Sequence, residues 1–80
     1  VIVPLYGFVE GDTLGLLVLA RPDMRVSQIV EQLTDAASVR VDPAGPWRLV
    51  ARGTDLPETG TVEELALTAF ERVDLRRVAR

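Results

Sequence analysis

Apolar residues fall along this chain in several rhythms, and each change of rhythm marks a new element. Val1 to Val9 and Leu14 to Ala20 are two apolar runs joined by Glu10-Gly11-Asp12-Thr13, where Gly and Asp supply turn geometry. Together they predict an N-terminal β-hairpin, with Pro4 at an edge or a bulge. Arg21-Pro22-Asp23 breaks the run. The spacing then becomes Val26, Ile29, Val30, Leu33 and Ala37, which gives a helix one apolar stripe opposite Ser27, Gln28, Glu31, Gln32 and Asp35. A helix over Val26 to Ala37 follows, with a weak N-cap, because Arg25 stands where Ser, Thr or Asp is preferred.

Asp42-Pro43-Ala44-Gly45-Pro46 admits neither helix nor ladder pairing and predicts a rigid loop. Trp47, Leu49 and Ala51 next alternate with Arg48, Val50 and Arg52. A strand over Trp47 to Arg52 therefore packs one side on the helix and shows guanidinium groups, with Val50 between them, on the other. Gly53 ends it in a turn. Leu56-Pro57 predicts a very short pairing segment, and Thr61-Val62-Glu63-Glu64-Leu65 a single helical turn, with Thr61 capping and Glu64 at the capping-box spacing. In Phe70 to Val78, Val73 and Leu75 alternate with Arg72, Asp74 and Arg76, the period of a half-buried strand.

Composition narrows the chemistry. Eighty residues without an internal repeat predict one domain with one modest core, even at 48% apolar content. Cys and His are absent and all nine basic residues are Arg. Disulfides, thiolate nucleophiles, imidazole metal sites, a Ser-His-Asp constellation and Schiff-base chemistry are excluded together. Thr13, Ser27 and Ser38 have no His or Lys to take a proton from them. Twelve acidic residues give a net charge of −3, which disfavours nucleic acid and acidic membrane surfaces as partners. No apolar run approaches the roughly 20 residues that span a bilayer. The opening stretch carries neither a positive leader nor a small-residue cleavage site, so a cytoplasmic protein is expected.

Acidic pairs add no site. Glu10 and Asp12 flank Gly11 in a geometry that holds a hard cation only if further oxygens converge, and acidic residues beside Gly are ordinary turn formers. Glu63 and Glu64 are neighbours on a helical turn and point apart. No catalytic residue, cofactor or metal ligand is expected in this chain.

The order strand, strand, helix, strand, short segment, strand is compatible with a β-grasp, and spacing alone leaves other α+β folds open. The segment from Arg48 through Leu67, continuing to Val73-Asp74-Leu75, resembles the second half of ubiquitin without a gap. It shares an apolar strand, the Gly53 turn, Leu56, the Thr61-Val62 turn onset, Leu67 and a closing strand, and the Val26/Ile29/Leu33 stripe matches the ubiquitin helix. The resemblance implies an α+β ubiquitin-like β-grasp: a mixed sheet of four to five strands around one α-helix. Two departures argue against ubiquitin's own role. The sequence closes Leu75-Arg-Arg-Val-Ala-Arg80 without Gly-Gly, so conjugation and sulfur carriage are not expected. Where ubiquitin presents an apolar patch, Val50 stands near Arg52, Asp74 and Arg76.

The opening Val3-Pro-Leu-Tyr-Gly-Phe-Val-Glu-Gly-Asp-Thr-Leu-Gly-Leu-Leu-Val-Leu-Ala, with the helix and Ser38-Val-Arg-Val-Asp-Pro, is similar to the small ubiquitin-like B (gamma) subunits of toluene 4-monooxygenase-type systems. That subunit is non-catalytic. The resemblance implies docking on the large hydroxylase subunit, whose carboxylate-bridged diiron centre activates dioxygen to hydroxylate an aromatic ring. The short ubiquitin-like proteins of type VII secretion resemble the chain too, through Trp47-Arg-Leu-Val and the closing strand. They imply an interaction module of a secretion system instead.

Either role needs a docking surface, and the hairpin offers one. Leu14, Leu16, Leu17, Val18 and Leu19 are apolar on both faces of a strand that a single helix covers on one side, and Val3 and Leu5 extend the surplus. Leu17 and Leu19 are the candidates there, for a partner or for a homodimer. Arg48, Val50, Arg52 and Arg76 are expected on one exposed sheet face, with the guanidinium groups set to grip partner carboxylates. A solvated charged face is the plain alternative.

Overall fold

The hydrophobic rhythm produces the elements close to where it places them. A computed structural model describes residues 1–78; Ala79 and Arg80, on which part of the tail reading falls, lie outside the described residues. Strands β1 (Val3–Val9) and β2 (Gly15–Ala20) form the hairpin, α1 spans Val26–Ala37, and β3 (Trp47–Ala51), β4 (Thr54–Asp55) and β5 (Glu71–Arg77) follow. They make one five-stranded sheet in the order β2-β1-β5-β3-β4. Only β1 and β5 run parallel. A parallel pair needs a long crossover, and everything between β2 and β5 serves as that crossover.

The helix lies across one face of this sheet because its stripe and the alternate strand residues are apolar together. Val26, Ile29, Leu33 and Ala37 are buried against Leu5, Val18, Leu49, Val73 and Leu75, and the buried core among the described residues is apolar throughout. Gly7 sits in β1 directly under Leu33. A Cβ at Gly7 would fall inside van der Waals distance of Leu33 Cδ2, so the missing side chain is what lets helix and strand approach.

The weak N-cap is compensated locally. Arg25 is extended (φ −84°, ψ 154°), but a guanidinium carries donors only and cannot accept a first-turn N–H as Ser would. Gln28 supplies the return bond, its Oε1 accepting the Arg25 N–H at 2.9 Å, while Arg25 Nη1 donates to the Thr59 carbonyl at 2.8 Å. The 42–46 loop is held by side chains as well. Trp47 Nε1 donates to the Pro43 carbonyl at 2.9 Å. Arg77 stacks 4.2 Å from the Trp47 ring centre and donates to the carbonyls of Ala44 and Asp42.

Several boundaries differ from the sequence expectation. Strand β3 stops at Ala51, because Arg52 and Gly53 take φ of 53° and 75° and form the two-residue loop that pairs Ala51 with Thr54. The short pairing segment is Thr54–Asp55 instead of Leu56-Pro57. Leu56 adds only its N–H to the Leu49 carbonyl at 2.8 Å, and Pro57 has no N–H with which to continue. Val1, Ile2 and Leu14 lie outside the hairpin strands, and β5 begins after Phe70, whose φ is 63°. The Thr61–Leu65 turn carries the expected capping box: Thr61 Oγ1 accepts the Glu64 N–H at 3.1 Å and Glu64 Oε1 accepts the Thr61 N–H at 3.0 Å. It goes no further, since Ala66 turns to φ 53°.

Asp12 is a staple. Both its carboxylate oxygens accept from Arg40, at 2.9 Å each, joining the hairpin turn to the segment after α1, and Oδ1 also accepts the Leu14 N–H at 3.2 Å. The Arg40 guanidinium holds the Asp12 carboxyl below the usual carboxylate range. A pKa lower in the folded than in the unfolded state means the unfolded chain binds more protons. The pair's contribution is therefore fully present above the unfolded value of about 3.9 and is lost as pH falls through the lower folded value. Thermal melting of the wild type and Arg40→Gln should show a lower midpoint for the variant at neutral pH and a gap that closes as pH drops below about 4. A gap independent of pH would place the effect of Arg40 elsewhere.

Candidate protein interaction surface

The outer face of the sheet, opposite α1, divides into an apolar half and a charged half. Strand alternation puts Leu5, Gly7 and Val9 inside, which turns Pro4, Tyr6 and Phe8 outward; in β2, Val18 and Ala20 are buried and Leu17 and Leu19 are exposed. The register sets Pro4 against Leu19, Tyr6 against Leu17, and Phe8 against Gly15. Gly15 leaves room for the Phe8 ring, which a Cβ there would meet at 3.0 Å. Phe70 folds back over this half, its ring centre 5.7 Å from that of Tyr6. Leu17, Leu19, Tyr6 and Phe70 are 56%, 59%, 45% and 58% exposed, so four large apolar side chains share one continuous open area.

The charged half begins at β5. Arg72 lies 4.2 Å over the Phe8 ring and pairs with Asp74 at 3.0 Å, closing the apolar half with a neutralised border. Beyond it, Val50 is half-buried beside Asp74 and Asp55, its ladder partners. Arg48 stands directly opposite Arg76, and only Arg48 is neutralised among the described residues, by Asp55 at 3.1 Å. Arg76 is thereby left as the exposed cation of this half.

Of the candidates read from the sequence, Leu17, Leu19, Arg48, Val50 and Arg76 share this face. Arg52 does not. It has left β3 for the turn, where Nε pairs with Glu71 at 3.0 Å and Nη2 donates to the Leu65 carbonyl at 2.9 Å. Its guanidinium ties the turn to the start of β5 and to the Leu65 carbonyl, although the side chain itself remains exposed. Tyr6 and Phe70 were not among the sequence candidates. Tyr6 had a signal, since Leu5 and Val9 turned inward place it outward by the strand period. Phe70 had none, because a non-glycine residue at positive φ is set by the fold around it.

Among the described residues no group of three acidic side chains is placed to hold a metal ion. Ser38 Oγ donates to the Asp35 carbonyl at 2.7 Å. No helix among them is long and apolar enough to cross a membrane.

Comparison with known proteins adds the fold. No family model matches the chain, and no curated protein matches it. Solved structures do. Caldiarchaeum subterraneum ubiquitin superposes with a TM-score of 0.79 at 18% identity, covering 100% of this chain and 98% of that one. The UBL domain of Plasmodium falciparum Dsk2 gives 0.80 at 14% identity over 98% and 100%. The chain has the ubiquitin-like β-grasp fold. A chain of the toluene 4-monooxygenase HD complex with the inhibitor 4-bromobenzoate shares this β-grasp at a TM-score of 0.87 and 23% identity, covering 98% of this chain and 100% of that one.

Proposed function

We propose that this ubiquitin-like chain is a non-catalytic accessory subunit that docks on the large hydroxylase subunit of a bacterial multicomponent diiron aromatic monooxygenase. The observation that carries the reading is the end-to-end likeness to a chain of the toluene 4-monooxygenase complex, closer at 0.87 than to either ubiquitin-like domain at about 0.8. The outer face supports it, because an apolar half bordered by paired charges is the make-up of a docking surface, not of an active site. In this reading the diiron centre and the activation of dioxygen belong to the partner. This chain contributes shape and surface to it.

The test is co-expression with the hydroxylase subunits of the same host, capture through a tag on this chain, and iron analysis of the eluate. A stoichiometric large subunit carrying iron is expected. Turnover of substrate by the isolated chain, or a hydroxylase that never copurifies, would sink the proposal. Capture of a secretion ATPase from the native host would move the chain to the type VII secretion reading.

A further inference from the structure

The two edges of the sheet are unlike. Strand β4 is two residues long, carries Asp55 and runs on to Pro57, devices that close a sheet edge to other chains. Strand β2 has six residues, Gly-Leu-Leu-Val-Leu-Ala, with no charge and no proline. Its register with β1 runs unbroken from Val3 opposite Ala20 to Phe8 opposite Gly15, so no bulge twists it away. Its outward N–H and C=O groups meet no partner among the described residues. Leu17 and Leu19, beside that edge, are more than half exposed.

An edge in this state takes another β-strand, and the charges at its ends specify which one. Arg21 follows β2 at once, and its pairing with Asp23 is loose, at 3.4 Å with both side chains exposed. The turn before β2 begins with Glu10, which is exposed. Antiparallel pairing with the β2 of a second copy brings each Arg21 to the end that holds the other copy's acidic turn. Parallel pairing would set like ends together. A two-fold axis normal to the sheet keeps every side chain on its own face. Leu17 and Leu19 of both copies then form one cluster on the outer face, and both helices remain on the inner one.

We propose that the chain self-associates as a symmetric dimer through antiparallel pairing of β2 with β2, making one continuous sheet from two five-stranded halves. The outer faces stay open and their apolar halves merge. The dimer is therefore independent of hydroxylase docking and compatible with it.

Sedimentation velocity and amide hydrogen exchange on the full chain, from micromolar to millimolar concentration, test this directly. The expected result is a concentration-dependent rise to twice the monomer mass, with alternate β2 amides exchanging more slowly as the mass rises. Leu17→Glu and Leu19→Glu should each raise the dissociation constant about tenfold or more by placing charge in the leucine cluster. Both side chains are exposed, so the variants keep the wild-type circular dichroism spectrum. A chain that stays monomeric throughout overturns the proposal. So does a dimer indifferent to both substitutions, or one whose β2 amides exchange at a single rate at all concentrations. Protection of β2 only after a hydroxylase subunit is added to a monomeric chain would assign the edge to a partner's strand and overturn self-pairing.

Discussion

Leu33→Ala should lower the stability of the folded chain by about 2–5 kcal/mol. Leu33 is fully buried in the third turn of α1 and rests on β1 at Gly7. Its truncation removes apolar burial and leaves a cavity that a close-packed helix and sheet cannot fully collapse. A chain of this size has a total of roughly 4–12 kcal/mol to lose, at 0.05–0.15 per residue. The variant should consequently sit near its unfolding midpoint at physiological temperature. Urea titration reads this as a fall in midpoint with an unchanged slope. A loss under about 1 kcal/mol would mean that the helix is not seated on β1 at this residue.

Gly7→Ala should also destabilise, by about 1–3 kcal/mol. Gly is a poor strand residue, so a Gly to Ala change in a strand ordinarily helps. Here the added methyl has nowhere to go, since Leu33 Cδ1 and Cγ stand 3.2 and 3.3 Å from the ideal Cβ position and Cδ2 is closer still. The two substitutions should therefore offset each other. In the Leu33→Ala background the Gly7 methyl enters the cavity, and the double variant should be more stable than the sum of the single losses by about 1 kcal/mol or more. Strict additivity across the four proteins of the cycle would show that the two residues do not share the contact.

Both changes act from inside the molecule, on the face opposite the interaction surface. Leu17, Leu19, Tyr6 and Phe70 are exposed, and substitution there is expected to leave stability nearly intact while altering association. Separation of the two effects follows from the sheet itself, in which alternate residues serve the core and the surface. Arg52 lies outside that separation. Tied to Glu71 and the Leu65 carbonyl, it joins the turn after β3 to β5 and to Leu65 and belongs to the fold, whereas Arg48 is paired with Asp55 on the face and Arg76 remains available there.

Elements whose cause is local were readable from the residues. The stripe from Val26 to Ala37 is helical wherever it packs, and the structure gives it the same bounds. The alternation around Leu49 and around Val73-Leu75 was likewise a strand in advance, and the Thr61 and Glu64 spacing was already a capping box. What no local pattern contains is which side a strand turns to the helix. A one-residue slip exchanges the faces, so Leu17 and Leu19 became the exposed leucines only when α1 covered Val18 and Ala20. The Asp12–Arg40 staple joins residues 28 apart, the β1–β5 pairing joins the two ends of the fold, and Phe70 reaches Tyr6 only through that pairing. Periodicity depends on the backbone geometry of a few consecutive residues and is therefore written in the sequence. The face that meets solvent, and hence any partner, depends on segments far apart in the chain competing to bury the same apolar surface, and that competition is decided only when they pack.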